Sequence, residues 1–555
     1  MGKRQGFIRW PGQLLTLVLL VMIGHSLRVE WSMHPRGPRF AIVDLTWVPL
    51  GTFLIWRWAW MMCHWTRALL YLLRRYPRAR AEAQRLAAER GHVTDLAILS
   101  ATYRERPDIT RAVFRSVLDE MMGLNGLMRP PTLLVGTGCD DDDATIANVY
   151  EECCGPLPES KRPVLRLFRA ASGKRGALAS GLEQLIALRL DREGAFVLMD
   201  GDTELEPGAL TRTLPVLRVE PEVAALTTNE HVSVVGPGWM GEWLHYRHGQ
   251  RHVMMSSLSL SRSLLCLTGR FSVFRASVLD AGLVKAVRED AVEHWLWGRY
   301  PLLSGDDKSS WFYLLKQGHR FLYIPDAAVL THERIAGTGL KNLYHSQRRW
   351  CGNMVRTIDR TLALGPRRIG WFTWWSILDQ RLSMWTTLIG PSVMIWMLSA
   401  RRTDLAAGYL LWVFMTRGVR SIPSLLHGRR LSLVYGPLSA VTDWMAALVK
   451  IWITFFPVRQ FWFNRGARVL DASKGDPRTR ARTIVAGLML AATLALYVVL
   501  TGWFTDRIEL MRELRLVRME SSPHLVLLQW LALVLCAVLL VRRIGRASPS
   551  ARSES

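Results

Sequence analysis

Asp200-Gly201-Asp202-Thr203 follows the apolar run Phe196–Met199. Two carboxylates two residues apart on a turn can present oxygens to one hard divalent cation. Mg²⁺ or Mn²⁺ prefers such ligands and commonly shares them with a diphosphate. The metal then neutralises charge that develops on a leaving nucleotide. Asp-Gly is also a common turn pair, and a turn is the plainer account of the string taken alone. Gly305-Asp306-Asp307 precedes a helical stretch, Ser309–Lys316. Its acids could cap that helix. Alternatively Asp307, with Asp306 beside it, could take the proton of an attacking hydroxyl, which is a poor nucleophile unaided. In Gln347-Arg348-Arg349-Trp350, Arg349 could hold a diphosphate and the Trp350 face a sugar ring. A basic belt with an interfacial Trp is the competing account. Gly173-Lys174-Arg175-Gly176 opens a helix whose N-terminus, with Lys174, favours an anion, or is a plain glycine turn. The acidic run Asp140–Asp143 could hold a base or ribose, or lie in solvent.

These strings need elements to hold them at one place. Apolar runs at Val93–Leu99, Thr132–Val135, Val164–Phe168 and Ala195–Met199 read as strands. Helical patterns at Ile109–Met122, Asp142–Cys153 and Arg175–Leu190 alternate with them. That alternation predicts βαβ units and a mainly parallel sheet, with ligands beyond the carboxyl ends of the strands.

The chain has 555 residues, half of them apolar and 21% charged, which excludes a disordered protein. Its net charge is +25. Nucleic acid, an anionic membrane face or phosphorylated substrates could each explain that excess. The basic residues flank apolar spans instead of forming one soluble patch, so no nucleic-acid partner is expected. The 7 Cys have no C-x-x-C pattern and read as reduced thiols, and the 14 His show no ligand spacing.

Apolar spans lie at both ends. Leu14–His25 and Ala41–Cys63 precede the strand-rich block, and Met384–Leu398, Leu405–Ile422, Thr483–Phe504 and His524–Val541 follow it. Pro437–Phe456 contains Asp443 and Lys450 on one helix face and is expected to lie in the interface. The organisation predicted is two transmembrane helices in 1–65 and a basic juxtamembrane segment in 66–92. A cytoplasmic catalytic-type domain fills 93–350. Interfacial helices, two spans and a loop occupy 351–482, two spans 483–541, and a cytoplasmic tail 542–555. The positive-inside rule puts the arginines of 66–92, the seven cations of Val458–Arg482 and the tail in the cytoplasm.

Taken together and in order, the strings resemble the processive membrane-embedded family 2 glycosyltransferases, the group of cellulose, chitin and hyaluronan synthases. Within it they are most similar to the alginate polymerases, the mannuronan synthases. The likeness rests on Asp200-Gly201-Asp202-Thr203, Leu226-Thr227-Thr228-Asn229-Glu230, Thr268-Gly269-Arg270 with Val273-Phe274-Arg275-Ala276, Gly305-Asp306-Asp307-Lys308-Ser309-Ser310-Trp311-Phe312, Arg349-Trp350 with Gly352-Asn353, and Asp379-Gln380-Arg381 with Ser383-Met384-Trp385-Thr386. It covers most of residues 40–465. The common Q-x-x-R-W pattern is broken at Ser346, with Gln347 one residue late.

The resemblance implies a GT-A fold and an inverting transferase in a bacterial inner membrane. It implies transfer of mannuronate from GDP-mannuronate to a β-1,4 chain that leaves through the enzyme's own channel. Asp200 and Asp202 would bind diphosphate and metal, Asp307 would be the base and Arg349 would hold diphosphate. Trp350 would take the acceptor, in a site whose motif runs from Gly269 to Arg275. Asp140 or a neighbour would meet the nucleoside. Arg459 with Trp462 resembles the group's gating loop. A separate membrane subunit would bind cyclic di-GMP. A polyanionic product needs cations along its path, and Arg381, Arg417 and Arg420 are the candidates. Another nucleotide sugar is the first rival reading. A passive exporter is the second, although it would not require the acids Asp200, Asp202 and Asp307.

Overall fold

The computed structural model describes residues 49–169, 173–236, 238–335, 338–399, 401, 403–427, 432–460 and 477–513. The expected spans Leu14–His25 and His524–Val541, the tail and Trp462 lie outside the described residues.

Continuous apolar runs become the central strands. β1 (Leu96–Ala101), β2 (Thr132–Thr137) and β4 (Ala195–Asp200) are buried almost throughout, as strands covered by helices on both faces are. β1 pairs in parallel with β2 and β4, and β2 with β3 (Val164–Arg169). The sheet adds β5 (Thr203–Leu205), β6 (Val223–Val235), β7 (Phe271–Arg275) and β10 (Arg320–Arg334), in the order β3-β2-β1-β4-β7-β6-β10-β5. β6 and β10 are parallel, whereas β7 runs antiparallel to both β4 and β6, and β5 antiparallel to β10. β8 (Ala291–His294) and β9 (Gly298–Pro301) form a separate hairpin. The sheet has the expected α/β class, and each strand read from the apolar runs falls within a few residues of its observed place.

Helices α1 (Pro49–Leu70) and α2 (Tyr76–Arg90) lead into the sheet domain through a π-helical turn. Within the domain, α3 (Pro107–Met122), α4 (Asp140–Cys154) and α5 (Gly173–Ala187) are the crossover helices expected. The same domain contains α6 (Gly238–Ser259) and α7 (Asp306–Lys316). The chain leaves through α8 (Gly339–Leu362) into α9 (Trp371–Ser399), α10 (Thr403–Arg420), α11 (Tyr435–Phe455) and α12 (Pro477–Glu513).

Among the described residues, α9, α11 and Thr479–Gly502 of α12 are long and apolar enough to cross a membrane. α11 contains the stretch expected to lie in the interface. Its charges have protein partners: Asp443 accepts from Arg417 and, at 3.2 Å, from Arg420 of α10, and Lys450 donates to Ser383 of α9 at 3.3 Å. A charged face on an apolar helix therefore marks helix–helix contact here, without any need of lipid headgroups.

Candidate active site

Asp200 ends β4, and its backbone N–H donates to the Arg270 carbonyl at 3.2 Å, which brings the Thr268-Gly269-Arg270 turn against the acid. α5 contributes Lys174 near its N-terminus. The Lys174 ammonium lies 2.5 Å from Asp200 Oδ1 and 3.1 Å from Asp306 Oδ2. A Cβ added at Gly269 would come within 3.3 Å of Lys174 Nζ and 3.5 Å of Asp200 Oδ2, so glycine keeps this position open. One small cavity is lined by Lys174, Gly269, Asp306 and Asp307 together. Four of the strings singled out in the sequence thus meet in space.

α7 presents the acids without using them as caps. Its N-cap is Gly305, at φ +88°, where a side chain would be strained and would also press on Asn353. Asp306 and Asp307 therefore occupy the first helical positions with their carboxylates turned to the cluster, and the helix-capping account does not apply. Arg175, next to Lys174, is the brace between α5 and α7. It donates to the Ser304 carbonyl at 3.1 Å, to Ser309 Oγ at 3.0 Å and to the Val287 carbonyl at 2.7 Å.

The two acids of α7 have opposite electrostatics. Burial works against ionisation of Asp306, but Lys174 and Arg175 outweigh it and hold the carboxyl below its ordinary range. Asp307 is pushed up to about 6, first by burial and then by the neighbouring Asp306 charge. Lys308 opposes that shift, but its ammonium is directed to the Leu265 carbonyl at 2.6 Å. Two adjacent carboxyls pushed apart in this way suit different tasks, one permanently charged and one able to exchange a proton near neutrality.

Asp202 is also raised to about 6, by burial and then by the charges of Asp200 and Glu333, with Arg270 acting the other way. Arg270 donates to Glu230 at 2.7 Å and to Glu333 at 3.1 Å. Burial opposes ionisation of Glu230, yet Arg251, Arg270 and His248 hold it down at about 2. The sequence did not single out Arg270 as a site residue, although it completes the Thr268-Gly269-Arg270 string. An arginine directly after a tightly approaching glycine was the available signal.

Among the described residues, no group of three or more His, Cys, Asp or Glu could hold a metal on its own. The donor set at the end of β4 is two hard carboxylates, Asp200 and Asp202. That set fits a Mg²⁺- or Mn²⁺-type ion drawing its remaining ligands from a diphosphate and water. The Lys174 ammonium supplies positive charge beside Asp200 in this structure.

The other expected residues are spread more widely. Trp350 of α8 stacks on Trp243 of α6, with ring centroids 5.7 Å apart. Arg349 follows the same turn, its guanidinium 5.7 Å from the Trp350 ring. Gln347 is buried and faces the Thr442 carbonyl of α11 at 3.4 Å. Arg275 is not brought to the cluster. β7 runs antiparallel to β4, so Arg275 pairs with Ala195 at the far end from Asp200, and it donates to the Leu217, Glu220 and Val223 carbonyls. Asp140 is almost fully exposed and is paired with Arg169. Its neighbour Asp142 is buried and accepts from the Arg104 backbone N–H at 2.8 Å. Arg381 donates to Asp359 at 2.9 Å, whereas Asp379 is taken by Arg57 of α1 at 2.6 Å. Arg459 lies just before the undescribed stretch, and its carbonyl accepts from Arg348 at 3.4 Å.

Residues 96–353 match the family model for glycosyltransferase like family 2. The chain is 33% identical to the glycosyltransferase alg8 of Pseudomonas syringae pv. tomato, over 88% of this chain and 98% of the relative. The chain belongs to the family 2 glycosyltransferases. The glycosyltransferase alg8 of Azotobacter vinelandii is 30% identical over the same shares of the two chains. A solved mannosyltransferase from Pyrobaculum calidifontis, in complex with GDP-Man and Mn²⁺, is 17% identical with a TM-score of 0.39, covering 72% of this chain and 97% of that one. The strand-end acids, the Gly269 turn and α7 all lie within the residues that match the family model, and membrane-length helices follow them.

Proposed function

We propose that this glycosyltransferase polymerises mannuronate from GDP-mannuronate into a β-1,4-linked chain and passes it out of the cytoplasm between its own membrane helices. The observation that supports this reading best is the likeness to two alg8 glycosyltransferases across nearly their full lengths. The acceptor hydroxyl attacks the anomeric carbon of the donor, its proton goes to Asp307, and the bond to the diphosphate breaks as GDP leaves. Attack opposite the leaving group turns an α-linked donor into a β-linkage. Lys174 and Arg349 bind the diphosphate, and Trp350 supports the acceptor sugar. A divalent ion held by Asp200 and Asp202 would supply further positive charge to the leaving diphosphate.

The test is donor choice. Membranes containing the chain, given labelled GDP-mannuronate, UDP-glucose, UDP-glucuronate with UDP-N-acetylglucosamine, and GDP-mannose in turn, should make polymer from GDP-mannuronate. Polymer from one of the other donors alone would assign a different synthase of the same mechanism. No polymer from any donor, with nucleotide still bound, would favour the exporter.

Arg381 is proposed to contact the emerging polyanion from within α9. Arg381→Gln should shorten the polymer while GDP release per enzyme stays within about 3-fold, because a contact made after transfer leaves the chemical step intact. An unchanged length distribution on sizing gels would limit Arg381 to its ion pair with Asp359. Regulation is proposed to come from a separate cyclic di-GMP-binding membrane subunit. The chain alone in liposomes should then be nearly inactive, and addition of that subunit with its ligand should restore synthesis. Full signal-independent synthesis by the chain alone is the contrary result.

A further inference from the structure

Arg247 lies on α6 and is half-buried. Its guanidinium is 4.2 Å from the centre of the Trp350 ring and 5.8 Å from that of Trp243. Among the described residues, no carboxylate stands within ion-pair distance of it and no hydrogen bond holds it. Two half-buried arginines near it are different: Arg251 and Arg270 share Glu230. The nearest charges give Arg247 little relief. Arg270 repels it, and the Asp443 carboxylate is already shared by Arg417 and Arg420. Burial, the larger effect, also pushes the guanidinium below its ordinary range.

A half-buried guanidinium without a counter-ion is partly desolvated, and a bound anion would offset that cost. Its place over the Trp350 ring prepares it for one. A guanidinium lying over an aromatic face keeps its N–H donors at its rim, in the fork that matches a carboxylate. The ring beneath it is Trp350, the expected acceptor platform. Arg270, which acts on Arg247 from one side, also acts on Asp202 of the donor site.

We infer that Arg247 binds the carboxylate of the sugar at the growing end of the polymer and so makes elongation selective for an acidic acceptor. This deepens the mannuronate reading above and rests on it. Arg247 is a specificity residue for the acceptor; the donor diphosphate and the base are handled by other groups.

The experiment uses membranes holding the full chain with its natural partners, and GDP-mannuronate as donor. Two primers are compared: a mannuronate trisaccharide and the same trisaccharide reduced at its carboxyls. The wild type should have a KM for the acidic primer about 10-fold or more below that for the neutral one, the effect of a charge-assisted hydrogen-bonded pair. Arg247→Gln should erase that preference by raising the acidic KM about 10-fold, leaving the neutral-primer KM and the donor KM within about 2-fold. Arg247→Lys keeps the charge but loses the fork, and should retain part of the preference. A wild-type preference that survives intact in Arg247→Gln overturns the inference and leaves the mannuronate reading standing. Equal losses on both primers, with Arg247→Lys no better than Arg247→Gln, assign Arg247 to packing and overturn the inference. A wild type with equal or lower KM for the neutral primer overturns the inference and leaves the mannuronate reading standing, whereas no incorporation from GDP-mannuronate on either primer overturns both.

Discussion

Asp307→Asn should lower sugar transfer by roughly 100–10,000-fold, the range for loss of a general base, while GDP affinity stays within a few-fold of wild type. The reason is the division of labour on α7. Asp306 is paired with the Lys174 ammonium and stays ionised, whereas Asp307 has burial and a like charge beside it and no carboxylate-neutralising partner as close. Asparagine keeps the shape of Asp307 and loses only its proton-accepting role. The pH profile provides a second readout. A carboxyl raised to about 6 is neutral below that pH and cannot accept a proton. Wild-type kcat should therefore fall as pH drops through about 6, and the residual rate of Asp307→Asn should lack that limb. A variant that makes polymer at the normal rate would remove Asp307 from the mechanism and return it to a structural place at the start of α7.

Asp202→Asn should reduce polymer synthesis by about 100-fold or more, the scale for removing one electrostatic contact to a developing charge. The protein should still fold and insert, and its thermal stability should hold or rise. The sign follows from the shift. Burial, Asp200 and Glu333 raise the Asp202 carboxyl, so its ionised form opposes folding above about pH 6, and asparagine removes that opposition. Lost activity with unchanged or higher stability separates a role in binding diphosphate and metal from a role in the fold. Chelation gives the matching test on the wild type. Excess EDTA should stop synthesis and Mg²⁺ or Mn²⁺ should restore it. Undiminished turnover in EDTA would leave Asp202 without a metal to hold.

Much of the sheet was legible because its central strands are covered on both faces. Such strands are short unbroken apolar runs, and Leu96–Leu99 and Phe196–Met199 can hardly be anything else between helical patterns. The acids were legible because they stand where those runs stop. Arg275 was misleading for a related reason. It follows an equally clear run, Phe271–Phe274, but that strand is antiparallel to β4, and direction reverses which end of a run reaches the site. Nothing in a local pattern records direction. The stretch around α11 shows a second limit. A face carrying Asp443 and Lys450 has the same spacing whether it meets headgroups or the side chains of α9 and α10.

By itself the sequence determined the α/β class, the order of the strings, and the residue types able to bind diphosphate and take a proton, since these follow from apolar period and side-chain chemistry. Only the tertiary structure decided that Asp200 and Asp306 share the Lys174 ammonium, that Arg270 ties the Gly269 turn to Glu230 and Glu333, and that Arg247 rests on Trp350 without a counter-ion among the described residues. Those are contacts between residues tens to more than a hundred positions apart. Their distances, and hence the pKa differences between chemically identical carboxyls, are set by strand register and helix packing, which no residue encodes alone.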